Sequence, residues 1–275
     1  MQFPIHHLSE IPSNTKSILC IVILVCFFSF GLPGQDYSIL FSTDENYILS
    51  PISPADDNLV LYGASVFSLS GLLPPGTLSQ ETNVDALGKM SANEIVFSLE
   101  EDASLPDALL VADEDLILFN GYKFGLWWDG SAAGLPPEVN LDAVHILSTS
   151  PIRFLFSLEE DAVLPSVGLV ADEDILQYED LTGFSMVVDG SAAGIPVEAD
   201  LDALCRDPFT TDYVLSLDSA VWINGIFFDD ADLLEFTGAK FVLYFDASVA
   251  GMPEETDLDA VEILEVTHIN GWMFL

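Results

Sequence analysis

The sequence is poor in basic residues. It contains 6 Lys and Arg against 45 Asp and Glu, which gives the 275-residue chain a formal net charge of −39. Nucleic-acid phosphates are bound by clustered Lys and Arg side chains, so this composition excludes a nucleic-acid-binding protein. Because anionic lipids attract basic segments, it also excludes electrostatic attachment to an anionic membrane surface. Cations are the expected partners of such an acidic chain, with Ca²⁺ first because it is bound by oxygen ligands.

Cysteine and histidine are scarce as well, with 3 Cys and 4 His. Cys20 and Cys26 fall in the apolar leader described below, so Cys205 is the one thiol of the remaining chain and no intramolecular disulfide is expected. His145 and His268 are the histidines that follow the leader, which leaves little for histidine-based catalysis. The sequence also lacks the Gly-x-Ser-x-Gly, His-Glu-x-x-His and P-loop motifs of common enzyme classes. We therefore expect that the protein is not an enzyme.

Long hydrophobic runs are missing apart from one near the N-terminus. Ser17–Phe30 is an uncharged apolar segment that follows Lys16. A transmembrane helix needs about 20 such residues, so this shorter segment is typical of the apolar region of a secretory signal peptide. With small residues at Ser29 and Gly31 as a cleavage site, the sequence predicts a signal peptide over residues 1–34. Sec-dependent export would place the protein in the periplasm, at the cell surface or outside the cell. The alternative is an uncleaved N-terminal anchor.

The rest of the chain does not have the composition of a disordered acidic segment. Hydrophobic residues make up 50% of the sequence and aromatic residues 11%, which is enough for a sizeable core. We expect residues 35–275 to form a single domain.

Internal repetition organises this domain. Three short motifs each occur twice, 59 or 60 residues apart: FSLEEDA at Phe97–Ala103 and Phe156–Ala162, VADED at Val111–Asp115 and Val170–Asp174, and DGSAAG at Asp129–Gly134 and Asp189–Gly194. A more diverged copy follows at residues 215–253, and the weakest copy comes first, at residues 39–71. The four repeats span approximately residues 39–94, 95–153, 154–212 and 213–275.

A five-residue marker recurs once in each repeat. It reads NVDAL, NLDAV, DLDAL and DLDAV, and its third residue is always aspartate. These marker aspartates are Asp85, Asp142, Asp202 and Asp259, at intervals of 57, 60 and 57 residues. Such regular spacing indicates a repeat fold, in which each unit buries its hydrophobic face against its neighbours.

The region around the third repeat shows the structure expected of each unit. Its apolar segments are short and contain many β-branched and aromatic residues: Arg153–Leu158, Asp174–Tyr178, Phe184–Val188 and Leu201–Leu204. Each has the length of a strand, and none has the ten or more periodic positions of a helix. The spacers VLPSVG, EDLTG and DGSAAGIP are typical of turns, with room for a short helical turn in SAAGIP. A repeat of about 59 residues thus contains about four strands.

Four four-stranded units predict an all-β fold, a four-bladed β-propeller. The two ends of the domain support a closed ring. The first repeat begins at Ile39 without a marker strand before it, whereas the last continues past Asp259 into VEILEV. We expect this C-terminal strand to complete the first blade and to close the propeller. The alternatives are an open β-solenoid and a β-sandwich.

Two segments carry a resemblance to known blades. GLPPEVNLDAV and GIPVEADLDAL, each followed by a hairpin strand, are similar to hemopexin-type blades, which open with a Pro-containing turn and an Asp-Ala strand. That resemblance implies a four-bladed propeller that binds proteins or other ligands and holds ions in its central channel. It covers about ten residues per repeat, and the aromatic-rich second and third strands of that family are absent here. The repeats also resemble uncharacterised exported bacterial proteins with FDGSxxGL…DxDAL units, a class that implies no particular activity.

The marker aspartates are the candidate metal ligands. In a propeller the first strand of each blade lines the axis, so fourfold repetition would place these carboxylates around one channel mouth. Carboxylates that lie so close cannot all stay ionised without a cation or strong hydrogen-bond donors. Ca²⁺ or another hard cation would supply the compensating charge. The alternative is that each aspartate caps a turn or accepts hydrogen bonds from a neighbouring blade. The alanines that follow fit a crowded axis: Ala86, Ala143, Ala203 and Ala260.

Two further groups of residues are weaker candidates for metal sites. Carboxylates cluster in four loops: Glu100–Asp102, Asp113–Asp115, Glu159–Asp161 and Asp172–Asp174. Ca²⁺ would relieve their repulsion, although their spacing matches no EF-hand loop, and a solvated surface is the alternative. The residue three positions after each marker aspartate varies: Gly88, His145, Cys205 and Glu262. Three of these residues are of metal-ligand types that a soft-metal site could use, whereas variable surface or blade-interface positions are the alternative.

These observations predict a secreted or cell-surface, non-enzymatic repeat protein that acts as a binding or structural module. Ca²⁺ or another hard cation would stabilise it, and its partner would be an extracellular protein, polymer or matrix component. The alternative is an exported hydrolase acting on extracellular polysaccharide or phosphoester, with catalytic groups among its carboxylate pairs. Those pairs recur from repeat to repeat, however, whereas an active site is normally made once.

Overall fold

The structure, a computed structural model, describes residues 36–79, 82–269 and 272–274. The predicted signal peptide, residues 1–34, lies outside the described residues. In this part of the chain no helix has the length and apolar character needed to cross a bilayer.

Four antiparallel β-sheets, the blades, organise the described chain. Blade 1 contains β1 (Asp36–Ser42), β2 (Val60–Gly63) and β3 (Val66–Leu69). Blade 2 contains β4 (Val84–Lys89), β5 (Ile95–Leu99), the hairpin strands β6 (Ala103–Leu105) and β7 (Leu109–Val111), β8 (Leu116–Phe119) and β9 (Phe124–Trp128). A four-residue helix, α1 (Gly130–Ala133), leads to blade 3.

The next two blades repeat this order. Blade 3 contains β10 (Ala143–Thr149), β11 (Ile152–Ser157), the hairpin strands β12 (Ala162–Leu164) and β13 (Gly168–Val170), β14 (Ile175–Glu179) and β15 (Gly183–Val188), and is followed by α2 (Gly190–Ala193). Blade 4 contains β16 (Ala203–Arg206), β17 (Tyr213–Ser216), the hairpin strands β18 (Val221–Ile223) and β19 (Ile226–Phe228), β20 (Leu233–Phe236) and β21 (Phe241–Phe245), and is followed by α3 (Ala247–Ala250). The chain continues through β22 (Ala260–Ile269) and β23 (Trp272–Phe274).

The strands of each blade lie side by side in chain order, β4-β5-β8-β9, β10-β11-β14-β15 and β16-β17-β20-β21, and each hairpin forms a separate two-stranded sheet. The first strands, β4, β10, β16 and β22, are the inner strands, and each contacts the inner strands of both adjacent blades. The predicted four-bladed β-propeller is therefore confirmed.

The ring is closed by a strand from the end of the domain. In the sheet of blade 1 the order is β23-β22-β1-β2-β3, and β23 pairs only with the end of β22 that extends beyond β1, Thr267–Ile269. Beside β1, β22 takes the inner position that β4 takes in blade 2. It pairs antiparallel with the whole of β1, from Asp36 opposite Val266 to Ser42 opposite Ala260. The expectation that the C-terminal strand completes the first blade is confirmed.

The hydrophobic core is divided among the four junctions between adjacent blades. Representative pairs are Leu40 and Phe97 for blades 1 and 2, Trp128 and Phe154 for blades 2 and 3, Leu155 and Leu204 for blades 3 and 4, and Val214 and Phe41 for blades 4 and 1. Each cluster includes one of the alanines that follow the marker aspartates, and all four alanines are at most 1% exposed. Burial of one Leu or Phe side chain contributes about 1.5–3 kcal/mol. Because every cluster needs two blades, each blade depends on its neighbours for its hydrophobic core.

Serine hydroxyl groups tie blades together at three junctions. The Oγ atoms of Ser42, Ser98 and Ser157 donate hydrogen bonds to the carbonyls of Val84 (2.9 Å), Leu141 (2.8 Å) and Leu201 (2.9 Å), respectively. Each acceptor immediately precedes a marker aspartate, so these bonds fix the start of an inner strand against the preceding blade. The corresponding Ser216 of blade 4 instead donates to the carbonyl of Asp230 in its own blade, at 2.9 Å.

The hairpins differ from the sequence-based expectation, which assigned VLPSVG to a turn. This spacer contains most of the hairpin β12–β13, in which Ala162 pairs with Val170. Its turn uses Ser166 at φ 69° and Gly168 at φ 100°. The equivalent turn of blade 4 is Asn224-Gly225, with φ of 52° and 83°. Asn-Gly is the strongest short hairpin signal in a sequence, so the hairpin β18–β19 could have been predicted from it.

Candidate metal centre

All four marker aspartates are buried at the start of an inner strand. Asp85 lies in β4, while Asp142, Asp202 and Asp259 immediately precede β10, β16 and β22. These four residues are only 7%, 7%, 9% and 8% exposed, respectively. Because the inner strands of adjacent blades contact each other, their starts meet at one end of the ring.

The four carboxylates oppose one another's ionisation. Burial raises the pKa of Asp142 well above its usual range, and the charges of Asp85, Asp202 and Asp259 raise it further. Burial also raises the pKa of Asp85 to about 8 and that of Asp202 to about 11. The pKa of Asp259 is raised by burial and then by the charge of Asp85. The structure thus brings together the four residues that the marker singled out.

Their hydrogen bonding is incomplete. The Oδ2 atoms of Asp85, Asp142 and Asp202 are buried and have no hydrogen-bond partner among the described residues. Asp259 differs, because its Oδ2 accepts a hydrogen bond from Nδ2 of Asn83 in blade 2, at 3.1 Å. A buried carboxylate oxygen without a partner is costly in free energy unless a proton or a cation neutralises it.

A second set of residues contributes to this site and was not predicted from the sequence. It is the first residue of each marker: Asn83, Asn140, Asp200 and Asp257. The carboxylate of Asp200 joins those of Asp142 and Asp202 in a group whose oxygens lie within 4.8 Å of one another. Burial raises the pKa of Asp200 to about 8 and that of Asp257 to about 7. The change from Asn to Asp at this position was visible in the four markers.

A second set of side chains meets three residues further along the inner strands. Nδ1 of His145 in β10 lies 3.4 Å from Oε2 of Glu262 in β22, although these strands belong to blades 3 and 1, which are not adjacent in the ring. Cys205 is fully buried, which raises the pKa of its thiol, and the charge of Glu262 raises it further. At Gly88 a Cβ atom would lie 2.8 Å from Cγ1 of Ile146, so a larger residue there requires Ile146 to shift. The ligand atoms of His145, Cys205 and Glu262 do not all lie within 4.8 Å of one another, so the geometry does not favour a soft-metal site.

The interpretation of the acidic loops as solvated surface is wrong for Asp115 and Asp174. Oδ2 of Asp115 accepts the N–H of Ala112 in its own turn, and Oδ1 accepts the N–H of Gly130 at the start of α1, both at 3.0 Å. Asp174 makes the same two bonds to Ala171 and Gly190, and Asp232 makes them to Asp229 and Ala247. These carboxylates recur because the connection between blades needs their two acceptor atoms.

The glutamates of the same loops are also buried. Glu114 and Glu173 are 3% and 2% exposed, whereas Glu100–Asp102 and Glu159–Asp161 lie at the surface as expected. Carboxylate oxygens of Asp102, Asp113 and Glu114 lie within 4.8 Å of one another. Asp102 is exposed, and water can solvate that cluster without an ion.

These buried glutamates predict an unusual pH dependence. Burial raises the pKa of Glu173 to about 7 from an unfolded value of 4.5, so the stability linked to its proton is complete below pH 4.5 and is lost as the pH rises through 7. We expect the free energy of unfolding, measured in EDTA, to fall between pH 5 and pH 8. One such group contributes up to about 1.4 kcal/mol per pH unit. Glu173→Gln should flatten that slope, whereas Glu198→Gln, at an exposed position, should leave it unchanged. An equal slope in the two variants would rule out Glu173 as its source.

Comparisons with known proteins place no family name on the chain. No protein-family model matches the sequence, and no curated protein matches it. Among solved structures, the extracellular domain of BT4673 from Bacteroides thetaiotaomicron is similar at 11% identity and a TM-score of 0.32, over 74% of this chain and 32% of that one. A protein of unknown function from Bacteroides caccae is similar at 9% identity and a TM-score of 0.27, over 75% and 57% of the two chains.

A third similar structure is YCF48 bound to D1 peptide, at 9% identity and a TM-score of 0.32, over 78% of this chain and 63% of that one. The chain thus spans 32% to 63% of the length of these solved structures. TM-scores this low carry no argument about activity or partners. The resemblance to hemopexin-type blades is not supported beyond the shared four-bladed architecture.

Proposed function

We propose that the chain is an exported, non-enzymatic propeller that serves as a binding or structural module and is stabilised by a hard cation. Ca²⁺ is the first candidate, and its site lies at the end of the ring where the marker aspartates meet. Export rests on the signal-like segment Ser17–Phe30.

The observation that carries this proposal is the burial of four carboxylates at one end of the ring with so few hydrogen-bond donors. Asp142 and Asp202 are more than nine-tenths buried, and one oxygen of each has no partner among the described residues. Oxygen ligands of this kind, at separations under 5 Å, match the 2.3–2.6 Å bonds of Ca²⁺. A bound cation would remove the repulsion that otherwise opposes folding.

A non-enzymatic role is supported by the use that the repeats make of their acidic residues. Asp115, Asp174 and Asp232 occupy equivalent positions and accept equivalent backbone N–H groups, so their recurrence has a structural cause. A cavity of about 540 Å³ is lined by Ser91, Asn93, Glu94, Asn120 and Tyr122, with Gly71 and Gly121. Oγ of Ser91 donates a hydrogen bond to Oε2 of Glu94 at 3.0 Å, but in the described part of the chain no His, Lys or second carboxylate lines the cavity, so this pair lacks the third, orienting group of a known catalytic motif.

A binding role is supported by the outer hairpins. The middle residues of each hairpin are opposite each other and include exposed apolar side chains: Leu110 in blade 2, Val163 and Leu169 in blade 3, and Trp222 and Phe227 in blade 4. Trp222 and Phe227 are 67% and 48% exposed, with ring centroids 5.4 Å apart. Exposed apolar side chains at the same position of three equivalent hairpins are suited to contacts with an extracellular protein, polymer or matrix component.

Calcium-specific stabilisation is the test of this function. After removal of cations with EDTA, we expect CaCl₂ to raise the melting temperature well above the effect of NaCl at matched ionic strength. A ligand at a hundredfold excess over its Kd stabilises the folded state by about 2.7 kcal/mol, which is roughly 5–10 °C for a domain of this size.

Two variants assign that effect to the marker aspartates. Asp202→Asn should lose most of the calcium-specific gain, whereas Glu100→Gln, in an exposed acidic loop, should retain it. Equal stabilisation by NaCl and CaCl₂ would reject the cation site and would leave the acidity as an adaptation for solubility or salt.

A further inference from the structure

The four blade junctions are not equivalent at the first residue of the marker. This residue lies beside the marker aspartate of the preceding blade, which gives four pairs: Asn83 with Asp259, Asn140 with Asp85, Asp200 with Asp142, and Asp257 with Asp202. Two junctions therefore place an amide against the carboxylate, and two place a second carboxylate there.

The two amide junctions have hydrogen-bond donors of their own. Nδ2 of Asn83 donates to Oδ2 of Asp259 at 3.1 Å. The amide of Asn140 partly offsets the effect of burial on the pKa of Asp85, although its Nδ2 donates to Oε2 of Glu159 at 3.2 Å and Oδ2 of Asp85 has no hydrogen-bond partner among the described residues. An amide N–H near a carboxylate favours its ionised form without any bound ion. At the Asn83 junction this hydrogen bond supplies the compensation, and at the Asn140 junction the amide supplies part of it.

The junction between blades 3 and 4 has the opposite character. Asp142, Asp200 and Asp202 each offer a carboxylate oxygen within 4.8 Å of the other two. Oδ2 of Asp142 and Oδ2 of Asp202 have no hydrogen-bond partner among the described residues, and their side chains are 7% and 9% exposed. Three carboxylates at this separation surround a space in which a Ca²⁺ ion could bind oxygen from each residue at 2.3–2.6 Å.

We infer that the chain has one asymmetric cation site, formed by Asp142, Asp200 and Asp202 between blades 3 and 4, and not a fourfold site on the ring axis. This inference rests on the proposed function, because both require a hard cation. Asn140 occupies in blade 3 the position of Asp200 in blade 4. At equivalent positions of the ring, the amide of Asn140 thus does in one blade what a bound cation beside Asp200 would do in the next.

The test measures binding of Ca²⁺ alone to the full domain by isothermal titration calorimetry, together with melting temperatures in EDTA. Asp200→Asn installs the residue that the preceding blade already carries, so the fold should tolerate it. We expect this variant to bind Ca²⁺ at least tenfold more weakly than the parent protein. In EDTA its melting temperature should rise, because asparagine removes a buried carboxyl group that must either take up a proton or repel its neighbours, and it adds an N–H donor.

Asp85→Asn is the matched control at an amide junction, and it should keep the Ca²⁺ affinity within about threefold of the parent. A stoichiometry near one ion per chain is expected. If Asp85→Asn and Asp200→Asn weaken binding equally, the site is symmetric; the inference is then wrong while the proposed cation-stabilised function stands. If the parent protein binds no Ca²⁺, both are wrong.

Discussion

Deletion of residues 257–275 is expected to abolish cooperative unfolding and not merely to lower its midpoint. The deletion removes β22, which pairs with all seven residues of β1, Asp36–Ser42. It also removes Val261 and Ile263 from the core between blades 4 and 1, and Leu264 from the core between blades 1 and 2. Two of the four junctions lose packing at once, and no blade is stable without its neighbours. Calorimetry and circular dichroism should show a broad change in place of a single thermal transition.

A shorter deletion serves as the control for this experiment. Removing residues 270–275 leaves β22 and its pairing with β1 intact, so one sharp transition should remain. Adding the peptide of residues 257–269 to the longer deletion should restore a cooperative transition, since the missing strand can pair from a separate chain. A cooperative transition in the longer deletion without peptide would favour an open stack, which tolerates loss of an end repeat.

Gly190→Ala is expected to cost about 3 kcal/mol of stability. A Cβ atom at this first residue of α2 would lie 2.1 Å from the carbonyl oxygen and 2.6 Å from Cγ of Glu173. The backbone there cannot move freely, because Asp174 holds the N–H of Gly190 and that of Ala171. Relief of such an overlap shifts packed backbone, which typically costs 1–3 kcal/mol and occasionally more. Urea denaturation measures the loss as a lower midpoint at an unchanged slope.

Gly125→Ala in β9 is the matched control, because nothing lies within 4 Å of the added Cβ. It should be neutral or slightly stabilising, since it removes conformational freedom from the unfolded chain. Blade 4 differs at both positions of this close approach. Ala247 stands where blade 3 has Gly190, and Ala231 stands where blade 3 has Glu173, so the larger residue at the first position is matched by a smaller one at the second. If Gly190→Ala were as stable as Gly125→Ala, the close approach of α2 to Glu173 would not constrain the fold.

The propeller and its closure could be predicted from the sequence, because both follow from the periodicity of the repeats. A marker repeated four times in one domain fixes the number of blades, and the missing first marker requires a strand from elsewhere to complete blade 1. The hairpins were misread because Pro165 and Gly168 suggest a turn equally well with or without flanking strands. Their strands have only three residues each, below the length at which alternation is informative.

The candidate site was predictable only in part. Repetition places the marker aspartates together, but it does not reveal what lies beside each of them, since those contacts cross from one blade to the next. The contact of His145 with Glu262 was beyond sequence reasoning for the same reason, because it joins strands of two blades that are not sequence neighbours. The roles of Asp115 and Asp174 were missed because a charge count does not distinguish a solvated carboxylate from one that accepts backbone N–H groups.

One junction of the ring, between blades 4 and 1, lacks the serine hydrogen bond of the others, and we call it the seam. Three junctions have a hydroxyl that reaches the next inner strand, whereas at the junction of blades 4 and 1 Ser216 bonds within its own blade. That junction also depends on β1 meeting β22 from the far end of the domain, so its loop-closure entropy is the largest in the molecule. Blades 2, 3 and 4 can assemble from contacts that are local in sequence, and the seam then forms last. By the same reasoning, partial opening of the native ring begins there, and the amides of β22 exchange with solvent before those of β10.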